Sequence, residues 1–184
     1  MLQCRDALRL MSRGAERVMN LGNAYNEFVF EFLTQHDNVY LTELHQLFMQ
    51  KVIRPQMRPE GFKAIQAHKD AGHQLVGITA TSDFITAPIF REFGITEIIA
   101  TNAEIKDGKY TGKVINVPCY QKGKLTRLDQ WLEARDVTES WAYSDSINDR
   151  FLLEYADHAI AVNPDDRLEI LAKEQGWDIQ DWSI

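Results

Sequence analysis

Gln74-Leu75-Val76-Gly77-Ile78-Thr79-Ala80-Thr81-Ser82-Asp83, residues 74–83, passes without a break from an apolar run into hydroxyls and a carboxylate. Its first five residues read as a strand buried on both faces, because parallel strands covered by helices carry near-continuous apolar runs instead of alternating ones. Upstream, Pro59 marks a helix start, since its missing N–H costs nothing in the first turn. That helix runs through Phe62, Ile65 and His68 and is expected to stop at Ala71-Gly72. Downstream, Ile85 to Phe93 has helical spacing, so the unit is helix, strand, helix.

The same alternation continues to the end of the chain. Glu97–Ala100, Ser140–Tyr143 and His158–Val162 are further candidate strands, with helices expected over Lys124–Glu133, Asn148–Tyr155 and Asp166–Gln175. Within EIKDGKYTGKV, Asp107-Gly108 signals a two-residue hairpin turn, which needs positive φ at both central positions. The expected fold is therefore α/β, a doubly wound parallel sheet carrying a β-hairpin. Before Pro55 the pattern differs: Ala7–Met19, Tyr25–Leu33 and Leu41–Val52 place apolar residues three and four apart, as amphipathic helices do. Residues 1–54 are read as a helical, cap-like layer and 55–184 as the α/β core.

The chain has 184 residues, 45% hydrophobic and 26% charged, enough for one ordinary domain. A formal net charge of −7 argues against nucleic-acid or anionic-membrane partners, which rely on basic surfaces. Cys4 and Cys119 are too few and too far apart for a disulfide framework or a paired-cysteine zinc site, so both are expected as free thiols in the cytoplasm. The five histidines show no ligand spacing, and the four tryptophans are expected to fill the core or cover its edge.

Ligands of open α/β sheets bind beyond the carboxyl ends of the strands. Three such places carry polar groups. Thr79 to Asp83 offers hydroxyls and backbone N–H groups at a helix start, suited to an anion, although such residues also serve as plain N-caps. Lys122-Gly123-Lys124 opens a helix, where a lysine opposes the macrodipole unless an anion, such as a phosphate, lies nearby. Trp141-Ala142-Tyr143-Ser144-Asp145-Ser146-Ile147-Asn148-Asp149 runs from a short strand into carboxylates four apart, which a tight turn can aim at one magnesium ion.

In this order, the three segments resemble the haloacid dehalogenase-like superfamily, in its phosphoserine-phosphatase-like branch. The likeness extends from about Val52 through VIRPQMRPEGFKAI, ITATSDFITAPIF, KYTGKV and YSDSINDRFLLEYADHAIAVNPD. The resemblance implies a Mg2+-dependent phosphomonoester hydrolase acting on a small phosphorylated substrate. It assigns phosphate binding to Thr79, Ala80, Lys124 and Asn148, catalytic roles to Thr79 and Lys124, and metal binding to Asp145 and Asp149. Phosphoserine, another small phosphomonoester and a phospholipid intermediate all remain open as substrates.

The family's nucleophile lies in an Asp-x-Asp motif on its first strand, and no Asp-x-Asp occurs in these 184 residues. The resemblance therefore implies a chain without its phosphoryl acceptor and without a central strand, truncated and inactive as written. Alternatives are a non-catalytic phosphate-binding or regulatory protein, and a receiver-like signalling domain, which would lack the helical layer and the hairpin. A missing strand leaves a sheet edge that invites pairing with a second copy.

Overall fold

The computed structural model describes residues 29–120 and 122–183. Cys4, the expected Ala7–Met19 helix and the start of the Tyr25–Leu33 helix lie outside them; residues 29–34 are helical. Helix α1, Asn38–Phe48, begins at Asp37, whose carboxylate accepts the Tyr40 amide at 2.9 Å. It continues through a π-helical turn at Met49–Ile53 and a 3-10 turn at Arg54–Gln56, where Pro55 has no N–H to extend a helix. Phe30, Leu33, Leu41, Leu44 and Phe48 are buried together, each contributing roughly 2 kcal/mol of hydrophobic stabilisation. Ile85 and Ala103, from the α/β part, belong to the same cluster, so the helical layer shares a core with its neighbours.

Helix α2, Pro59–Asp70, starts at its proline and ends at Ala71, after which Gly72 takes φ +78°. Strand β1 is Val76–Ser82, beginning two residues later and ending four residues later than the apolar run indicates. It pairs in parallel with β2, Glu97–Thr101, through Val76 opposite Glu97, Gly77 opposite Ile98 and Ile78 opposite Ile99, with an irregularity before Ser82 meets Thr101. Helix α3, Asp83–Glu92, lies between them. Gly77 is required by packing: a Cβ there would stand 2.6 Å from the Phe90 ring.

Strands β3, Ala103–Lys106, and β4, Lys109–Val114, form the expected hairpin, with Asp107 at φ 50° and Gly108 at φ 74°. Helix α4, Lys122–Leu132, is followed by β5, Trp141–Ser144, a 3-10 turn at Ile147–Asp149 and helix α5, Arg150–Tyr155. Strand β6, His158–Val162, helix α6, Asp166–Gln175, and strand β7, Asp178–Gln180, complete the chain. β5, β6 and β7 are parallel neighbours in that order. β7 has no apolar run to mark it in the sequence; pairing with β6 defines it.

The alternating parallel α/β fold is thus present. Among the described residues, however, its strands form two parallel groups: β1 pairs with β2 alone, and β5 with β6 alone. Flanking elements bridge the groups. α4 packs on β1, β2 and α5. From α2, His68 Nε2 lies 2.9 Å from the Tyr143 hydroxyl on β5, and just ahead of α2 Arg58 donates to the Trp182 carbonyl at 2.7 Å. His73 stacks on Trp141, which in turn stacks on His158. No described helix is long and apolar enough to cross a membrane.

Candidate active site

Of the polar residues singled out in the sequence, Lys124 and Asp149 meet directly, and helix α4, which carries Lys124, packs on β1, which carries Thr79 and Ala80. Thr79 sits inside β1, where the sequence had the strand stopping at Ile78; its hydroxyl accepts the Thr81 amide at 3.2 Å. The helix cap is instead Ser82, buried, whose hydroxyl accepts the Phe84 amide at 3.3 Å. Extension of the strand through Ser82 follows from its pairing with Thr101, a long-range partner that local periodicity does not register. Asp83 turns away from the strand: its carboxylate accepts the Phe84 amide at 2.8 Å and the Asn102 side chain at 2.8 Å.

Lys124 stands in the first turn of α4 and is buried, with 8% of its side chain exposed. An ammonium so placed needs a counter-charge. It donates to Asp149 Oδ1, and Asp149 Oδ2 accepts the Ser144 hydroxyl at 3.0 Å. The anion that offsets the lysine at this helix start is therefore the carboxylate of the acidic loop. Gly123 makes the approach feasible, since a Cβ on it would lie 2.3 Å from the Pro118 carbonyl oxygen.

The acidic loop is built by its own hydroxyls and by Asp165. The Ser144 hydroxyl accepts the Ser146 amide at 3.2 Å, and the Ser146 hydroxyl accepts the Asn148 backbone and side-chain N–H groups, both at 3.3 Å. One donor of the Asn148 side-chain amide is thus engaged within the loop. Asp165 accepts the Ile147 amide at 2.9 Å with one oxygen and caps α6 through the Arg167 and Leu168 amides with the other. Its backbone N–H donates to the Asp145 carbonyl at 2.8 Å. Asp165 is a site-shaping residue that sequence reasoning passed over; the signal was an aspartate just ahead of an amphipathic helix.

Asp145 reaches solvent at the mouth of this loop. The protein packed around its carboxyl, then the charges of Asp149 and Asp165, push its pKa above the ordinary aspartate range, with Lys124 opposing them. Such a crowded carboxylate is suited to a divalent cation, and magnesium typically takes one or two carboxylates with water and substrate oxygens. Among the described residues there is no group of three or more acidic, histidine or cysteine ligands forming a complete cage.

Cys119 is wholly buried. Burial pushes its thiol pKa up and Asp149 adds to this, while Lys124, Arg127 and the Thr79 backbone N–H oppose it. The sulfur itself lies 3.6 Å from the Ile99 carbonyl on β2. Arg127, one turn after Lys124, donates to the carbonyls of Ala100 and Val117 at 3.2 and 3.3 Å, and locks α4 onto the end of β2.

The family model for haloacid dehalogenase-like hydrolases matches residues 3–154. The chain is 40% identical over 163 residues to the histidinol-phosphatase of Neisseria meningitidis, covering 85% of this chain and 73% of that protein. It is 40% identical over 121 residues to the phosphoserine phosphatase SerB1 of Mycobacterium tuberculosis, covering 65% of this chain but 39% of that longer one. A crystal structure of a protein of unknown function from Bordetella pertussis superposes with a TM-score of 0.84 at 36% identity, covering 97% of this chain and 82% of that one. With the parallel α/β fold, these likenesses establish that the chain belongs to the haloacid dehalogenase-like hydrolase family.

Proposed function

We propose that this chain carries the phosphate- and metal-binding portion of a Mg2+-dependent phosphomonoester hydrolase for a small phosphorylated metabolite. The observation that carries the reading is the meeting of Lys124 with Asp149 beside the end of β1, which puts a buried cation, an acidic loop and a hydroxyl-rich strand at one place. Thr79, the backbone of Ala80 and the Asn148 side chain would hold the phosphoryl oxygens, Lys124 would offset their charge, and Asp145 with Asp149 would hold the metal. Magnesium, when bound, supplies charge neutralisation on the phosphoryl group. Fixed donors aimed at developing charge are worth most where water is excluded, which the burial of Lys124 supports.

Covalent transfer needs a carboxylate that attacks phosphorus and is then released by water. In this reading it comes from an Asp-x-Asp segment outside the 184 residues, on a strand lodged between β1 and β5. Among the described residues the parallel strands form two groups, bridged by α2 and α4, which supports that placement. A small phosphomonoester is favoured by the names of the relatives, histidinol-phosphatase and phosphoserine phosphatase. The second reading, a phosphate-binding protein without hydrolysis, is favoured by the absence of Asp-x-Asp from the sequence.

The deciding test is Mg2+-dependent hydrolysis of histidinol phosphate, phosphoserine and a generic aryl phosphate, by the 184-residue chain and by a form extended with an Asp-x-Asp strand. Turnover by the extended form alone is expected. Turnover by the short chain, lost in Asp145→Asn, would overturn the requirement for an external nucleophile. Phosphate binding with no turnover in either form would favour the second reading.

A further inference from the structure

One hydroxyl ties the phosphate-facing strand to the segment that carries the lysine. Thr101, the last residue of β2, is 1% exposed. Its Oγ1 donates to the Ala80 carbonyl at 2.9 Å and accepts the Cys119 amide at 3.2 Å, using the group once as donor and once as acceptor. Ala80 adjoins Thr79. Cys119 leads into the turn in which the Gly123 amide donates to the Tyr120 carbonyl at 2.8 Å, and Lys124 follows. The Cys119 thiol, 3.6 Å from the Ile99 carbonyl, is held by β2 as well.

We infer that Thr101 is a positioning residue: its hydroxyl sets the spacing between the Thr79-Ala80 segment and the Cys119–Lys124 segment, and so the width of the phosphate seat. The inference deepens the phosphatase reading and rests on it for the word phosphate. A serine keeps the hydroxyl and loses only a methyl group. A valine keeps the shape and leaves both the Ala80 carbonyl and the Cys119 amide without this partner.

The test uses the 184-residue chain with Thr101→Val and Thr101→Ser. Amide hydrogen exchange is followed at Thr81, Cys119 and Lys124, with β6 amides as reference, and inorganic phosphate is titrated in the presence of Mg2+. In Thr101→Val, exchange is expected to rise about tenfold or more at all three amides while β6 is unchanged, and phosphate affinity to fall about tenfold. Thr101→Ser restores both. Unchanged exchange at Thr81 and Lys124 in the valine variant, or a serine variant that behaves like it, overturns the positioning role. If the valine variant does not fold, the serine variant decides: wild-type phosphate affinity supports a role for the hydroxyl, and a tenfold loss overturns it. A wild-type chain whose amides ignore phosphate counts against the phosphatase reading alone, and the exchange pattern still settles the tether.

Discussion

Lys124 and Asp149 lie 25 residues apart in the chain and meet as an ion pair with side-chain exposures of 8% and 18%. The two residues come from different parts of the fold, the first turn of α4 and the turn after β5, so the pair joins the two strand groups through their functional ends. Removing one partner leaves a buried charge uncompensated. Asp149→Asn is expected to destabilise the chain by about 3 kcal/mol, the low end for a buried pair because Asp149 keeps some solvent contact. Urea unfolding checks this, and Lys124→Met combined with Asp149→Asn is expected to cost less than the two singly.

Asp145 has the opposite sign. The protein packed around its carboxyl, and then the charges of Asp149 and Asp165, raise its pKa, so its ionised form is less favoured in the folded chain than in the unfolded one. Asp145→Asn is expected to raise the thermal midpoint at pH 7 without Mg2+ and to remove the further rise that Mg2+ produces in the wild type. Thermal scans with and without Mg2+ read both effects. A variant that still responds fully to Mg2+ would show that Asp145 does not bind it.

Gly123 is sensitive to a single methyl group. Gly123→Ala places a Cβ 2.3 Å from a backbone oxygen, which must move. An overpacking cost of about 1–3 kcal/mol is expected, together with displacement of Lys124 and weaker phosphate binding. Gly77→Ala meets the Phe90 ring, a side chain. It is expected to lose stability without changing phosphate binding, and calorimetry beside a phosphate titration separates the two cases.

Histidines set the response to acid. Burial lowers the pKa of His45, with the Ile85 carbonyl opposing it, and burial and then His73 lower that of His68. In the unfolded chain both take up a proton near the ordinary value of about 6.5, while the folded chain resists. Stability is therefore full above that value and is lost as pH falls below it toward the lower folded pKa values. The unfolding midpoint is expected to drop between pH 7.5 and 5.5, and to drop less in His45→Gln and in His68→Gln. A variant as acid-sensitive as the wild type would exclude that histidine as a source.

Elements with strong local signals were legible in the sequence. α2 begins at Pro59 and ends before Gly72, α6 covers the expected Asp166–Gln175, β6 covers His158–Val162, and Asp107-Gly108 makes the hairpin turn. Each depends on residues within a few positions of itself: a proline at the first turn, a left-handed glycine, an apolar period. The polar segments at the strand and helix boundaries were legible in residue types and in order. Their mutual bonding was not: the structure pairs Lys124 with Asp149, because a buried ammonium takes the nearest fixed anion.

The run into Ser82, the pairing of β7, the tie of Thr101 to Ala80 and Cys119, and the capping of α6 by Asp165 all join residues that only chain reversal brings together. The amino-acid sequence by itself determined the family resemblance, the alternating α/β layout and the absence of Asp-x-Asp, because these reside in residue identity and local period. The tertiary structure alone decided which charges neutralise one another and how the described parallel strands pair, since a hydrogen bond or ion pair acts only across the few ångströms that folding closes.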